Sequence, residues 1–357
     1  MRIFRLIALA VLFPGYCASI LAADCVPSFP YTDGWLGGDA AYSVPIGEGR
    51  DVWLFGDTFV GRADQKTRSG ATIVSNTVAV TSCEAGHPKV HYYWNDAGKP
   101  VAKPFFDSKT SEFRYWPLDG FYYRGALYVC LIQIAEKRGD GQFGFHGAAV
   151  ALAKVSGTAK DPDQWEIEYR KLFSGDVSFP GVSAVVSGDY AYLYAAIDDS
   201  TRKLHPIILT RIPLAGLDRP SEQIEYLANS RTWKKGIVWQ DARIIIKRGA
   251  AEMSVRYHPA LNKWIAVQAN TPPSRELVLR SAPALEGPWS EPQAVYSFPE
   301  MTPGQRQYDK DTFCYAGKEH LELSPSQASY VCNSFEFRKQ VENLDIYRPM
   351  IVPLGIR

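Results

Sequence analysis

Short runs in which apolar and polar residues alternate recur along the chain: DVWLFGD, ALYVCLIQI, AYLYAAI, KWIAVQA and ASYVCNS, each bounded by glycine, proline, asparagine or aspartate. A period of two marks half-buried β-strands, and the bounding residues mark turns. Amphipathic helical periodicity is scarce. Each run is the second arm of a hairpin, as in AAYSVPIGEGRDVWLFGD, YWPLDGFYYRGALYVCLIQ and EMSVRYHPALNKWIAVQAN. The five hairpins begin near residues 37, 115, 181, 251 and 313, so a unit of about 60 to 80 residues repeats five times. Two further candidate strands follow each of the first four hairpins, for example AAVALAKV and then WEIEYRK. Four strands per unit and five units predict an all-β fold, a five-bladed β-propeller of four-stranded antiparallel blades. The last unit shows one further strand, YRPMIVPL, and the N-terminal segment near VPSFPY is expected to supply its fourth. A β-sandwich or two β-domains would also use regular hairpins; the fivefold count favours the propeller.

The two ends and the cysteines place the chain. MRIFRLIALAVLF sets two arginines before an apolar stretch, and small residues follow in SILAAD, the pattern of a secretory signal peptide. Residues 1–23 are therefore expected to be a leader, and residues 24–357 a single propeller domain in a secreted or periplasmic protein. No later run reaches the about 20 apolar residues of a membrane-spanning helix. Losing Arg2 and Arg5 lowers the net charge by two, from +1 to −1, which excludes a polyanion binder and so a nucleic-acid partner. Of the six cysteines, Cys17 leaves with the leader. In a compartment that permits disulfides, Cys314 and Cys332 lie on adjacent predicted strands, Cys25 and Cys83 are placed to pin the N-terminus, and Cys130 sits in an apolar strand as a buried thiol. Spacing alone leaves the connectivity open.

Candidate chemistry follows from the blade geometry. The innermost strand of a blade begins, and the second strand ends, on one face of the disc, so polar residues there converge on a central funnel. In the first unit these are Asp39, in GGDAAYS, and Asp57, in FGDTFVG. A hairpin turning at Glu48 sets them directly opposite each other, with Cβ atoms about 5 Å apart. Carboxyls that close drive their pKa values apart, as an acid and a base working at one pH require. Gly37, Gly38 and Gly56 leave room beside them. The same rule selects Trp116, Asp119, Glu252 and Tyr315 at inner-strand starts and Gln133, Asp198, Asn270 and Asn333 at second-strand ends. Asn76 and His146 lie at third-strand starts. Of these, Asn76, Trp116, Asp119, His146, Tyr315 and Asn333 are candidate substrate contacts, because aromatic and amide groups around carboxylates suit a sugar's C–H faces and hydroxyls. Lone Gly-Asp pairs are usually turn residues; the cross-strand register argues for function. No GxSxG, HExxH, P-loop or CxxC occurs, and the six histidines show no metal-ligand spacing, so neither a metal nor a cofactor is expected.

GWLGGDAAYSVPIGEGRDVWLFGDTFVG, SNTVAV, YWPLDGFYYRGALYVCL, EMSVRYHPALNKWIAV, SAPALEGPWSEPQAVY and YRPMIV together resemble a bacterial family of uncharacterised-domain propellers that includes the endo-D-arabinanases of mycobacterial arabinan. The resemblance is densest over residues 34–61. It implies hydrolysis of furanosidic linkages in a polysaccharide or oligosaccharide, by a monomer, with Asp39 and Asp57 as the acid–base pair. In a second version Glu252 is the acid, Asp39 the base and Asp57 a neighbour that tunes it. The competing functions are a non-catalytic glycan- or protein-binding propeller, which needs no carboxylate pair, and a polysaccharide lyase relying on Lys318, Arg256 or His320. TWKKGIVWQDARIIIKRG, before the fourth unit, has no counterpart in the resemblance.

Overall fold

The computed structural model describes residues 25–96, 101–136, 145–175, 178–197, 205–270, 275–323 and 326–356. The expected leader lies outside them. Five antiparallel sheets form five blades. Their inner strands are Trp35–Gly47 (blade I), Arg114–Tyr123 (II), Ser178–Ser187 (III), Met253–His258 (IV) and Thr312–His320 (V). Each inner strand contacts the next, and that of blade V returns to blade I, so the ring is closed. Blades II and IV have four strands each. Blade I adds the short strand Thr72–Val74, and blade III extends to six because Trp233–Lys235 and Ile244–Gly249, from the stretch without a counterpart, join its sheet. Among the described residues no helix is long and apolar enough to cross a membrane.

The first hairpin shows how sequence sets local geometry. Glu48 and Gly49 both have positive φ, 55° and 67°, as a two-residue primed turn demands. From Tyr42↔Leu54 to Pro45↔Asp51 the pairing follows the expected register. Toward the other end it breaks, with Gly38 opposite Thr58 but Ala40 opposite Phe55. Ala40 and Ala41 take φ of 63° and 59°, a bulge that lifts Asp39 out of the ladder. Register shifts recur at Pro117/Gly120, Pro180/Ser183 and Tyr315/Lys318 in three other inner strands. Pro117 and Tyr315, just before two of these shifts, line the space at the centre of the ring.

Closure of the ring differs from the expected shared strand. Blade V has three strands, Thr312–His320, Gln327–Ser334 and Pro349–Pro353, and residues 25–34 form none. Pro27 and Pro30 lack the N–H a ladder needs, and Phe29 has φ of 49°. The segment closes the seam with side chains instead. Phe29 is fully buried against Trp53 and Phe55, Val26 and Ile351 pack on the same cluster, and Tyr31 donates to the Leu344 carbonyl at 2.6 Å. Arg68, 1% exposed, donates to the carbonyls of Leu36 in blade I and of Gln340, Asn343 and Ile346 beside blade V, and to the Tyr31 hydroxyl, all within 2.9 Å. Arg68→Met leaves these buried acceptors unmet, and an unfolding midpoint in urea is expected to report a loss of about 3 kcal/mol.

Both disulfides join the expected partners. Cys25–Cys83 ties the N-terminal segment to blade I, and Cys314–Cys332 links directly opposed residues of blade V. Cys130 is a buried free thiol, its pKa driven up by desolvation. Two disulfides fit an oxidising extracellular or periplasmic setting.

Candidate active site

A cavity of about 360 Å³ opens where the inner strands converge, and Asp39, Asp57, Trp116, Glu252, Tyr315 and His205 line it. Asp39 stands on the blade I bulge, and Asp57 comes from the adjoining strand Arg50–Val60. Glu252 immediately precedes the inner strand of blade IV. The opposite wall is apolar, with Leu118, Ile132 and Ile134 from blade II and Phe179 and Val182 from blade III. A second cavity, of about 340 Å³, adjoins the first and shares His205, Glu252 and Tyr315 with it.

Each carboxyl has a distinct set of partners. The Tyr315 hydroxyl donates to Asp39 Oδ2 at 2.7 Å, and the Trp116 indole N–H donates to Asp57 Oδ1 at 2.8 Å. Tyr347 donates to the Asp57 carbonyl at 3.0 Å. Burial, then the charges of Asp57 and Glu252, push the Asp39 pKa well above the ordinary carboxylate value. Burial also raises Asp57, while the Trp116 hydrogen bond and the Arg114 charge oppose the rise. The two aspartates share one cavity, and the Asp57 charge is among the causes that raise Asp39. Gly56 is required by this geometry, since a Cβ at that position would collide with Asp39 Oδ1.

Lys318 binds the site together from beneath. Its side chain is 1% exposed, and Nζ donates to the carbonyls of Ala40 (2.6 Å) and Ala316 (3.0 Å) and to Glu252 Oε1 (3.1 Å). The ammonium also lies over the Tyr42 ring, 4.3 Å from its centroid. Ala40 and Ala316 are both bulge residues with positive φ, so one cation fixes two bulges and a carboxylate from a third blade.

Not every residue at a predicted strand end reaches the cavity. Asp119 is fully buried and pairs with Arg256 at 3.0 Å while accepting from the Ala184 N–H. Asn76, also fully buried, accepts from the Phe106 N–H and donates to the carbonyls of Phe106 and Tyr115. Asn333 caps the Ser334 N–H and pairs with Phe313 on the rim of blade V. The His146 backbone pairs with Ala135, but its side chain, like all of Asp198, lies outside the described residues. Gln133 pairs with Tyr115, away from the cavity lining, and Asn270 lines the second cavity. The lyase candidates Arg256, His320 and Lys318 are all committed to buried partners, and none lines the first cavity. Sequence reasoning missed Tyr347 and His205, and it did not foresee the contacts of Lys318 with Ala40, Ala316 and Glu252. Among the described residues, the one group spaced to hold a metal is Glu300 with Cys314 and Cys332, and its sulfurs are joined in a disulfide.

Residues 28–354 match DUF5005, a domain of unknown function. The chain belongs to the DUF5005 family. No protein of curated function matches this DUF5005 chain. Among solved structures, a Bacteroides ovatus protein provisionally described as a hydrolase shares its fold with a TM-score of 0.70 at 16% identity, over 90% of this chain and 86% of the other. Two glycoside hydrolases align less closely. The catalytic domain of the Coprinopsis cinerea family 62 α-L-arabinofuranosidase has a TM-score of 0.48 at 10% identity, covering 91% and 98% of the two chains. An endo-arabinase from Bacteroides thetaiotaomicron has a TM-score of 0.46 at 12% identity, covering 90% and 95%.

Proposed function

We propose that this DUF5005 protein is a secreted glycoside hydrolase that cleaves within furanosidic, D-arabinan-like polysaccharide. The observation that carries the reading is the unequal pair of aspartates in one cavity. Burial and neighbouring charge raise Asp39, while Asp57 accepts from the Trp116 indole and has the Arg114 charge opposing its rise. A proton donor and a carboxylate on two adjoining strands are the minimum for glycosidic cleavage. Asp39 protonates the departing oxygen, and Asp57 either takes a proton from the water that attacks the anomeric carbon or attacks that carbon itself to give a glycosyl-enzyme that water then hydrolyses. Glu252 Oε1 is engaged by Lys318, whereas Asp39 and Asp57 stand on adjoining strands of one blade, which favours the first-blade pair over the version with Glu252 as acid. Trp116 and Tyr315 hold the two carboxyls and also offer rings to the sugar.

The test is product analysis after incubation with linear and branched arabinans, arabinogalactans and other bacterial or plant polysaccharides. Internal cleavage yields a ladder of oligosaccharides from an arabinan, and the anomer first released reports retention or inversion. A protein that binds a glycan of the panel but releases no product is instead a non-catalytic glycan-binding propeller.

A further inference from the structure

An aromatic row leads away from the cavity across blade V. It begins at Tyr315, whose hydroxyl is on Asp39. Phe313, two residues earlier on the same strand, stacks on Tyr315 with centroids 5.7 Å apart and ring planes inclined by 26°. Phe335 follows, 4.6 Å from Phe313. Phe335 lies just past the end of Gln327–Ser334, opposite the start of Thr312–His320, and so on the same face of the disc as the cavity mouth. It is 77% exposed, and Phe337 beyond it is 62% exposed.

Rings this exposed normally sit on loose chain, but this backbone is fixed. The Phe335 N–H donates to the Asp311 carbonyl at 3.0 Å, and the Glu336 N–H donates to Ser334 Oγ at 3.1 Å. Lys339, in the short helix Phe337–Glu342, bridges Asp309 and Asp311 at 2.7–2.9 Å. Several hydrogen bonds thus hold a large apolar surface out in water, the arrangement of a preorganised recognition surface.

We propose that Tyr315, Phe313 and Phe335 form a stacking track for successive sugar rings of an extended glycan, running outward from the catalytic cavity. The occupant follows from continuity with the cavity and from the ring-face chemistry that suits sugar C–H surfaces. The inference rests on the glycosidase reading, and it deepens it by giving the path along which an extended chain leaves the cavity.

Affinity electrophoresis in native gels containing soluble linear arabinan, arabinogalactan or a β-glucan tests the track, with Asp39→Asn as parent so that the gel polymer survives. At least one polymer is expected to retard the parent. Adding Phe335→Ala is expected to weaken that retardation about tenfold in Kd without shifting the melting temperature, and Phe335→Trp to restore it. In the wild-type background Phe335→Ala should lower kcat/KM on the polymer while leaving the shortest cleavable oligosaccharide unaffected. Unchanged retardation of the Phe335→Ala protein, or no retardation of the parent by any polymer, overturns the proposal. Retardation that depends on Phe335, in a wild-type protein that releases no product, keeps the track and removes the hydrolase reading.

Discussion

Asp39→Asn is expected to fold normally and to lower turnover on the true substrate by at least about a hundredfold, the lower range for loss of a positioned acid. Asparagine keeps the shape and the Tyr315 contact but carries no transferable proton. Asp57→Asn should cost a similar factor, because the developing positive charge at the anomeric carbon then meets a neutral amide. Two pH measurements check the assignment. Turnover should fall as pH rises through the raised Asp39 value and the donor ionises. Stability should follow the same sign: a carboxyl raised above its ordinary 3.8 binds its proton more tightly folded than unfolded, so its contribution is full below 3.8 and is lost as pH rises toward the folded value. At neutral pH the asparagine protein should therefore melt above wild type, with the gain vanishing near pH 3. Normal activity in either folded variant, or a variant less stable at pH 7, would count against the assignment.

Lys318→Met is the second large effect. It leaves the carbonyls of Ala40 and Ala316 without a donor and Glu252 without its cation, and breaking such a buried pair costs about 3–5 kcal/mol. Turnover should fall by about a hundredfold as the two bulges relax, since small misplacements of reacting groups have costs of that order. A stability loss alone would suit a purely structural lysine, so the deciding readout is the pH profile. The Lys318 charge lowers the Asp39 pKa, and its removal should move the alkaline limb upward. An unmoved limb in protein that still folds refutes the electrostatic role.

The hairpins were legible because strand alternation and turn residues are local, as in the Glu48–Gly49 turn. Convergence of Asp39, Asp57, Trp116, Glu252 and Tyr315 on one cavity was legible too, because propeller topology fixes where strand ends lie. That rule knows position and not facing. Asn76 stands just before a strand and Asp119 inside one, yet their partners there are loop amides and Arg256 rather than a ligand. The bulges were hidden because alanines hold positive φ at positions 40, 41 and 316, where glycine would have given a signal. Arg68 and Lys318 were illegible for a further reason. Their acceptors are backbone carbonyls far away in sequence, and a carbonyl leaves no mark on residue identity.

The seam between the first and last blades also sets when the protein becomes competent. Asp39 and Asp57 emerge from the ribosome early, whereas Tyr315, Lys318 and Tyr347, which give those aspartates their environment, are among the last residues made. Until the final blade docks and Arg68 finds its carbonyls, Asp39 lacks its contact with Tyr315. A nascent or C-terminally clipped chain therefore carries both aspartates without the neighbours the completed ring gives them, and on the proposed reading it is expected to show no turnover.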